Sequence, residues 1–280
     1  MRFDVAPEHA LFADSLRSAI GDCRPVREPD LGDWQDDRDD GLAERVAQAG
    51  WRELWAGDEL LGAVVAGGLE LGRAAAPVCL VDEATLGAPL WVEGRARYGL
   101  GATSLAAPVR GGGLGLGPPS SEARPEITLD GSGTVLVELA ATGRLEDVAA
   151  TACWRVWNAA TLAYLAGLAQ RTLVLAVEHA RAREQFGAPL AALPAVQSRL
   201  ADSTLAADAL TLLAWAAATN DGGLQEPELR FAGDACCDVT ASAHQVHGAV
   251  GFALETGLHV YYRRARSVHA WAAGACAAAR

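Results

Sequence analysis

The chain has 280 residues, is 51% hydrophobic, and carries a formal charge of -12 from 23 basic and 35 acidic side chains. All 23 bases are arginine, which excludes lysine Schiff-base chemistry and a Walker-type phosphate lysine. The acidic balance speaks against a nucleic-acid partner, whose binding needs a clustered positive surface. No apolar run reaches the roughly 18 uncharged residues of a membrane helix, so no membrane partner is expected. Asp4 and Glu8 interrupt the N-terminus before any long apolar stretch, unlike a signal peptide. The six cysteines show no CxxC spacing and Cys236–Cys237 are adjacent, which points to reduced, buried thiols in a cytoplasmic protein.

In chain order, residues 3–20 are expected as a helix with Pro7 at its start and Ala10, Leu11, Leu16 and Ile20 on one stripe. Residues 27–40 are polar and acid-rich, the pattern of a solvated loop rather than a metal site. Residues 42–54 and 60–75 give two more helices, the second closed by Pro77. Residues 81–94 give a fourth. The glycine-rich stretch 99–119 is followed by Pro118-Pro119 instead of a helix, so it is expected as a flexible linker rather than a phosphate cradle. Residues 127–129 and 134–139 are expected as a short hairpin around Asp130-Gly131-Ser132-Gly133. Residues 148–181, 195–219, 227–246 and 255–273 are expected as four long helices with short connections, the pattern of a bundle. The fold class is therefore mainly α. It comprises an N-terminal helical domain (1–98), a middle segment with linker and hairpin (99–147), and a C-terminal four-helix bundle (148–280).

Two segments stand out chemically. The first, E-H-A-R-A-R-E-Q-F-G-A-P-L at 178–190, ends a long helix and sets Arg183 beside a glycine turn. There an arginine can take a phosphate bidentately and Phe186 can cover apolar surface. The same residues also suit a plain helix end, with the arginine on the helix dipole and Gly187 as the cap. The second, Q-V-H-G-A-V-G-F at 245–252, has two glycines at a helix end that allow close backbone approach, and Gln245 can hydrogen-bond a ribose or adenine edge. It also suits a tight turn between helices.

In this order and spacing the two segments resemble the acyl-CoA dehydrogenase family, in the motifs A-x-x-R-x-Q-F-G-x-P and Q-x-x-G-G-x-G-F of its C-terminal four-helix domain. The P-A-V-Q-S-R-L-A-D stretch at 194–202, E-L-G-R-A-A-A-P-V at 70–78 and L-H-V-Y-Y-R-R-A at 258–265 are similar to further family segments. The resemblance implies FAD as cofactor, an acyl-CoA thioester as substrate, and α,β-dehydrogenation with a glutamate taking the α-proton. It implies that Arg183, Gln185, Phe186, Gln245 and Gly248 contact the pyrophosphate and adenosine of FAD held mainly by a neighbouring subunit. Ala249 stands where the family has its second glycine, so the backbone can approach less closely there.

Three departures accompany the resemblance. The middle segment is too short for the family's β-domain and carries no flavin-covering W-x-T/S motif. The family's usual glutamate position falls at Ala272–Ala273, and its alternative position falls near Trp157–Asn158. Neither offers a carboxylate, and a general base needs a group able to titrate near the working pH. Glu146, Asp147, His247 and His269 are the substitutes within view. The leading expectation is the degenerate subunit of a heteromeric acyl-CoA dehydrogenase, an α2β2 assembly of the kind used on bulky acyl-CoA substrates such as steroid side chains. It would pair through its C-terminal bundle with a catalytic subunit, or with itself as a homodimer. The alternatives are a flavin-free helical scaffold and an autonomous enzyme with a histidine base.

Overall fold

The computed structural model describes residues 6–21, 40–51, 53, 60–97, 102–126, 134–139, 143–144 and 147–280. The expected acid-rich loop, except Asp40, lies outside them, as do Cys23, Glu146 and the 127–133 part of the expected hairpin. The N-terminal part holds α1 (Pro7–Ile20), α2 (Asp40–Gln48), α3 (Leu61–Arg73) and α4 (Cys79–Leu86). α2 is shorter than expected because Gly50 takes a φ of 86°, which ends the helical run. The fourth expected helix is likewise too long. Gly87 caps α4 at a φ of 73°, and the chain turns into β1 (Trp91–Val92) and β2 (Arg95–Ala96).

The glycine-rich stretch corrects the expectation of a flexible linker. It forms β3 (Leu105–Val109) and β4 (Gly113–Gly117), antiparallel with Leu105 opposite Gly117 and Val109 opposite Gly113. Gly111 and Gly112 turn the hairpin at φ of 85° and 79°. Their N–H groups both donate to the Ala279 carbonyl, at 2.8 and 3.1 Å, and so satisfy an orphan carbonyl at the C-terminus of the last helix. Residues of β3 and β4 are mostly buried, so the glycines here make a packed hairpin. β5 (Arg124–Pro125), β6 (Val135–Leu136) and β7 (Gly143–Arg144) complete two small sheets, ordered β1-β2-β6-β5 and β3-β4-β7.

Four long helices follow: α5 (Asp147–Ala182), α6 (Pro194–Ala217), α7 (Glu226–His247) and α8 (Leu258–Ala279). A two-strand hairpin of β8 (Glu184–Gln185) and β9 (Ala188–Pro189) joins α5 to α6. Pro194 and Pro227 sit in first turns, where no N–H is required, and Glu226 and Glu228 complement the α7 dipole. α5 is buried on all sides over residues 156–169. By length and composition it could cross a membrane, but 67% of its apolar window is buried within the protein.

α3 lies against α5 at unusually short range, and small residues allow it. A Cβ on Gly72 would stand 2.1 Å from the Tyr164 carbonyl oxygen, and one on Gly167 2.2 Å from that of Leu69. Gly68 meets Ala163 in the same seam. This contact fuses the N-terminal helices and the bundle into one core that includes Leu71, Trp154, Trp157, Tyr164 and Leu210. Of the cysteines, Cys79, Cys153, Cys236, Cys237 and Cys276 are not disulfide-bonded. Burial raises the Cys153, Cys236 and Cys237 thiols above their ordinary range and pushes Cys276 up to about 11.

Candidate functional site

The two motif segments meet at one end of the bundle. α5 ends at Ala182, and the Arg183 N–H donates to the His179 carbonyl at 2.9 Å as a last helical bond. The chain then turns through Phe186 and Gly187 between β8 and β9, with φ of 56° and 80°. Positive φ at both central residues is the geometry of a two-residue hairpin, so Gly187 is a turn residue and not the helix cap. Phe186 is 91% exposed. The Arg183 guanidinium is exposed and has no ion-pair or hydrogen-bond partner among the described residues. Gln185 is exposed beside it.

The second segment closes α7. Gln245 is exposed on the last turn, and Gly248 caps the helix at a φ of 63° with its N–H on the His244 carbonyl. A 3₁₀ turn over Gly248–Phe252 then buries Gly251 and leaves Phe252 exposed. A Cβ on Gly251 would lie 2.9 Å from the His247 Cβ, so glycine is needed for the fit. The rings of His179 on α5 and His247 on α7 stack at 4.3 Å and 23°, which joins the arginine turn to the glutamine–glycine end. His244 packs tilted on Phe252 and edge-on to Tyr262. This histidine contact carried no signal in sequence spacing, since His179 and His247 lie on different helices.

The positions expected for the family's base are Trp157–Asn158 and Ala272–Ala273. Trp157 on α5 donates from Nε1 to Asp82 Oδ1 at 3.0 Å. Asp82 is also held by Arg97 through Nε and Nη2, at 2.7 and 2.6 Å. The Arg97 guanidinium in turn lies 5.5 Å from the ring centre of Trp271, the neighbour of Ala272. Thus two positions far apart in sequence converge on one ion pair whose side chains are 0% and 1% exposed. Ala272 is buried, Ala273 is exposed, and neither carries a titratable group. Of the substitutes, His247 is engaged in the stack. His269 pairs with Asp234 at 3.5 Å between α7 and α8, and Asp147 begins α5.

A cavity of about 480 Å³ opens between α1, α3, α5 and α6, with Arg17, Glu70, Arg73, Gln170, Asp208 and Trp215 among its lining. Buried Glu70 accepts from Arg17 Nε and Nη2 at 2.8 Å and from Arg73, which also bonds Gln170 at 2.8 Å. The ion pair raises the Arg17 pKa further, and these groups largely satisfy one another. Among the described residues no group of three His, Cys, Asp or Glu is placed to hold a metal ion.

Residues 155–277, most of this bundle with its arginine hairpin and glutamine–glycine end, match the family described as acyl-CoA dehydrogenase, C-terminal domain. The match takes in less than half of the chain, and over it the chain is similar to that domain of the acyl-CoA dehydrogenases. Over 116 residues it is 38% identical to a 3-sulfinopropanoyl-CoA desulfinase of Paraburkholderia xenovorans, a stretch covering 39% of this chain and 29% of that protein. It is 36% identical over 110 residues to the mitochondrial short-chain specific acyl-CoA dehydrogenase of Bos taurus, covering 36% and 26%. The chain thus spans under a third of the length of these curated relatives. The fold extends further. A chain of the ChsE4–ChsE5 complex from Mycobacterium tuberculosis superposes with a TM-score of 0.77 at 19% identity, covering 99% of this chain and 96% of that one.

Proposed function

We propose that this chain is the non-catalytic subunit of a heteromeric, FAD-dependent acyl-CoA dehydrogenase, lending dinucleotide contacts to a catalytic partner across the C-terminal bundle. One contrast carries the reading: the motif corner is open and chemically unsatisfied, whereas Trp157 and Ala272 are buried. Arg183 offers an unpaired fork suited to a pyrophosphate, Phe186 and Phe252 offer exposed rings, and Gln245 offers an amide. These residues fit the adenosine and phosphate half of FAD. The space around Trp157 and Ala272 fits neither a flavin ring nor a thioester, because Asp82, Arg97, Trp157 and Trp271 fill it.

When bound, FAD would supply the hydride-accepting chemistry, and the proton would be taken by the partner's own carboxylate. The role of this chain is to bind, orient and cover. Arg183 fixes the phosphates, Gln185 and Gln245 give polar contacts, and Gly248 lets the backbone come close. Similarity to a chain from a complex of two named proteins supports a hetero-oligomer of the α2β2 kind, and a bulky acyl-CoA such as a steroid side-chain thioester is the proposed substrate.

The test is co-expression with a full-length dehydrogenase partner, followed by flavin quantitation. A yellow complex that loses most of its flavin on Arg183→Ala is expected, together with no dehydrogenase activity from the chain by itself. Unchanged flavin in the Arg183→Ala complex would remove the assigned role, and a colourless wild-type complex would favour the flavin-free scaffold.

A further inference from the structure

The open corner has an internal fastening that the family motifs do not include. His179 lies one helical turn before Arg183, and His247 is the last residue of α7, directly before Gly248. Their stacked rings, 4.3 Å apart, are a side-chain link between the arginine hairpin and the glutamine–glycine end. The His247 Nδ1 donates to the Ala243 carbonyl at 2.8 Å, which fixes the orientation of the ring. Two further imidazoles back the pair: His244 from α7 and His259 from α8.

We propose that His179 and His247 are positioning residues for the dinucleotide contact. The stacked rings hold Arg183 and Gln245 at a fixed separation, and protonation of His179 releases the hold. This rests on the function proposed above. Aromatic rings stack well when uncharged, whereas two imidazolium rings at this distance repel. The surroundings oppose protonation from every side. Arg183 faces His179 from beyond α5, His244 faces His247 from α7, and Arg263 faces His259 from α8. Glu178, Glu184 and Glu255 are exposed nearby, and among the described residues none pairs with these rings. Burial, then these neighbours, lowers His179, His244 and His259 below the usual imidazole range. A depressed histidine binds its proton more readily in the opened form, so the link is intact above about pH 7 and weakens as pH falls through about 6.5.

Two measurements on the full chain decide the matter. Melting temperature is followed at about pH 8 and about pH 5.5 for wild type and His179→Phe, which keeps a flat ring but takes no proton. Wild type should lose distinctly more on acidification than the variant, and equal losses would overturn the proposal. Flavin retained by the co-expressed complex is then measured at both pH values. Retention should fall several-fold in acid for wild type and stay level for His179→Phe. His179→Ala should lower it at both pH values, with His179→Phe restoring it at the higher one. Retention that responds to acid identically in wild type and His179→Phe would overturn the positioning role while leaving the flavin contact intact. A complex without flavin at either pH overturns the functional reading instead, and the stacked pair is then judged on the melting comparison.

Discussion

Phe186 combines two individually unfavourable features, a φ of 56° and a ring that is 91% exposed. Holding an L-residue in the left-handed region costs roughly 1–2 kcal/mol, and the ring recovers little of it within the chain. Phe186→Gly should therefore stabilise the chain by up to about 1 kcal/mol after glycine's own entropy is counted, seen as a higher urea midpoint. The same substitution should weaken flavin retention in the complex, because it removes a covering ring. Asp82 gives the opposite case. It is fully buried and bidentately bound to Arg97, with Trp157 as a third partner. Asp82→Ala strands a buried guanidinium and should cost about 3–5 kcal/mol in a denaturant melt. The paired change Asp82→Leu with Arg97→Met removes both charges and should recover most of that loss.

Helices were the most legible elements. The central helix, expected over 148–181, spans Asp147–Ala182, because a long run without proline or internal cap has one good solution. The hairpin at 105–117 was not legible. Glycine alternating with leucine satisfies no strand propensity rule, and its stability comes from packing and from the bonds of Gly111 and Gly112 to Ala279. The close seam of α3 and α5 was equally hidden, since nothing local marks Gly72 and Gly167 as partners. Their proximity has a measurable outcome. Gly167→Ala brings a methyl against the Leu69 carbonyl, so α3 must shift away from α5. A loss of about 1–3 kcal/mol is expected despite alanine's better helix propensity, and the melting temperature should fall rather than rise.

For the molecule as a whole, the two motif segments, read directly from residue order, meet at one end of the bundle. What joins them, the stack of His179 on His247, depends on two helices meeting and could not be read from either. The burial of Trp157 against Asp82 and Arg97 was also beyond sequence. Missing carboxylates were visible, but the contact of Trp157 with this ion pair from the N-terminal part was not. The two regions should be energetically separate. Asp82→Ala and His179→Ala combined should destabilise by the sum of the single changes within about 0.5 kcal/mol, and a larger coupling in denaturant melts would show that they communicate.

That separation follows from the span of α5. Trp157 and His179 lie on the same unbroken helix, 22 residues and about 33 Å apart. A rigid rod of this length lets mutations accumulate at one end without disturbing alignment at the other. On the proposed function, the Trp157 end of the helix can therefore differ from chain to chain while Arg183 and Gln245 keep their places at the other.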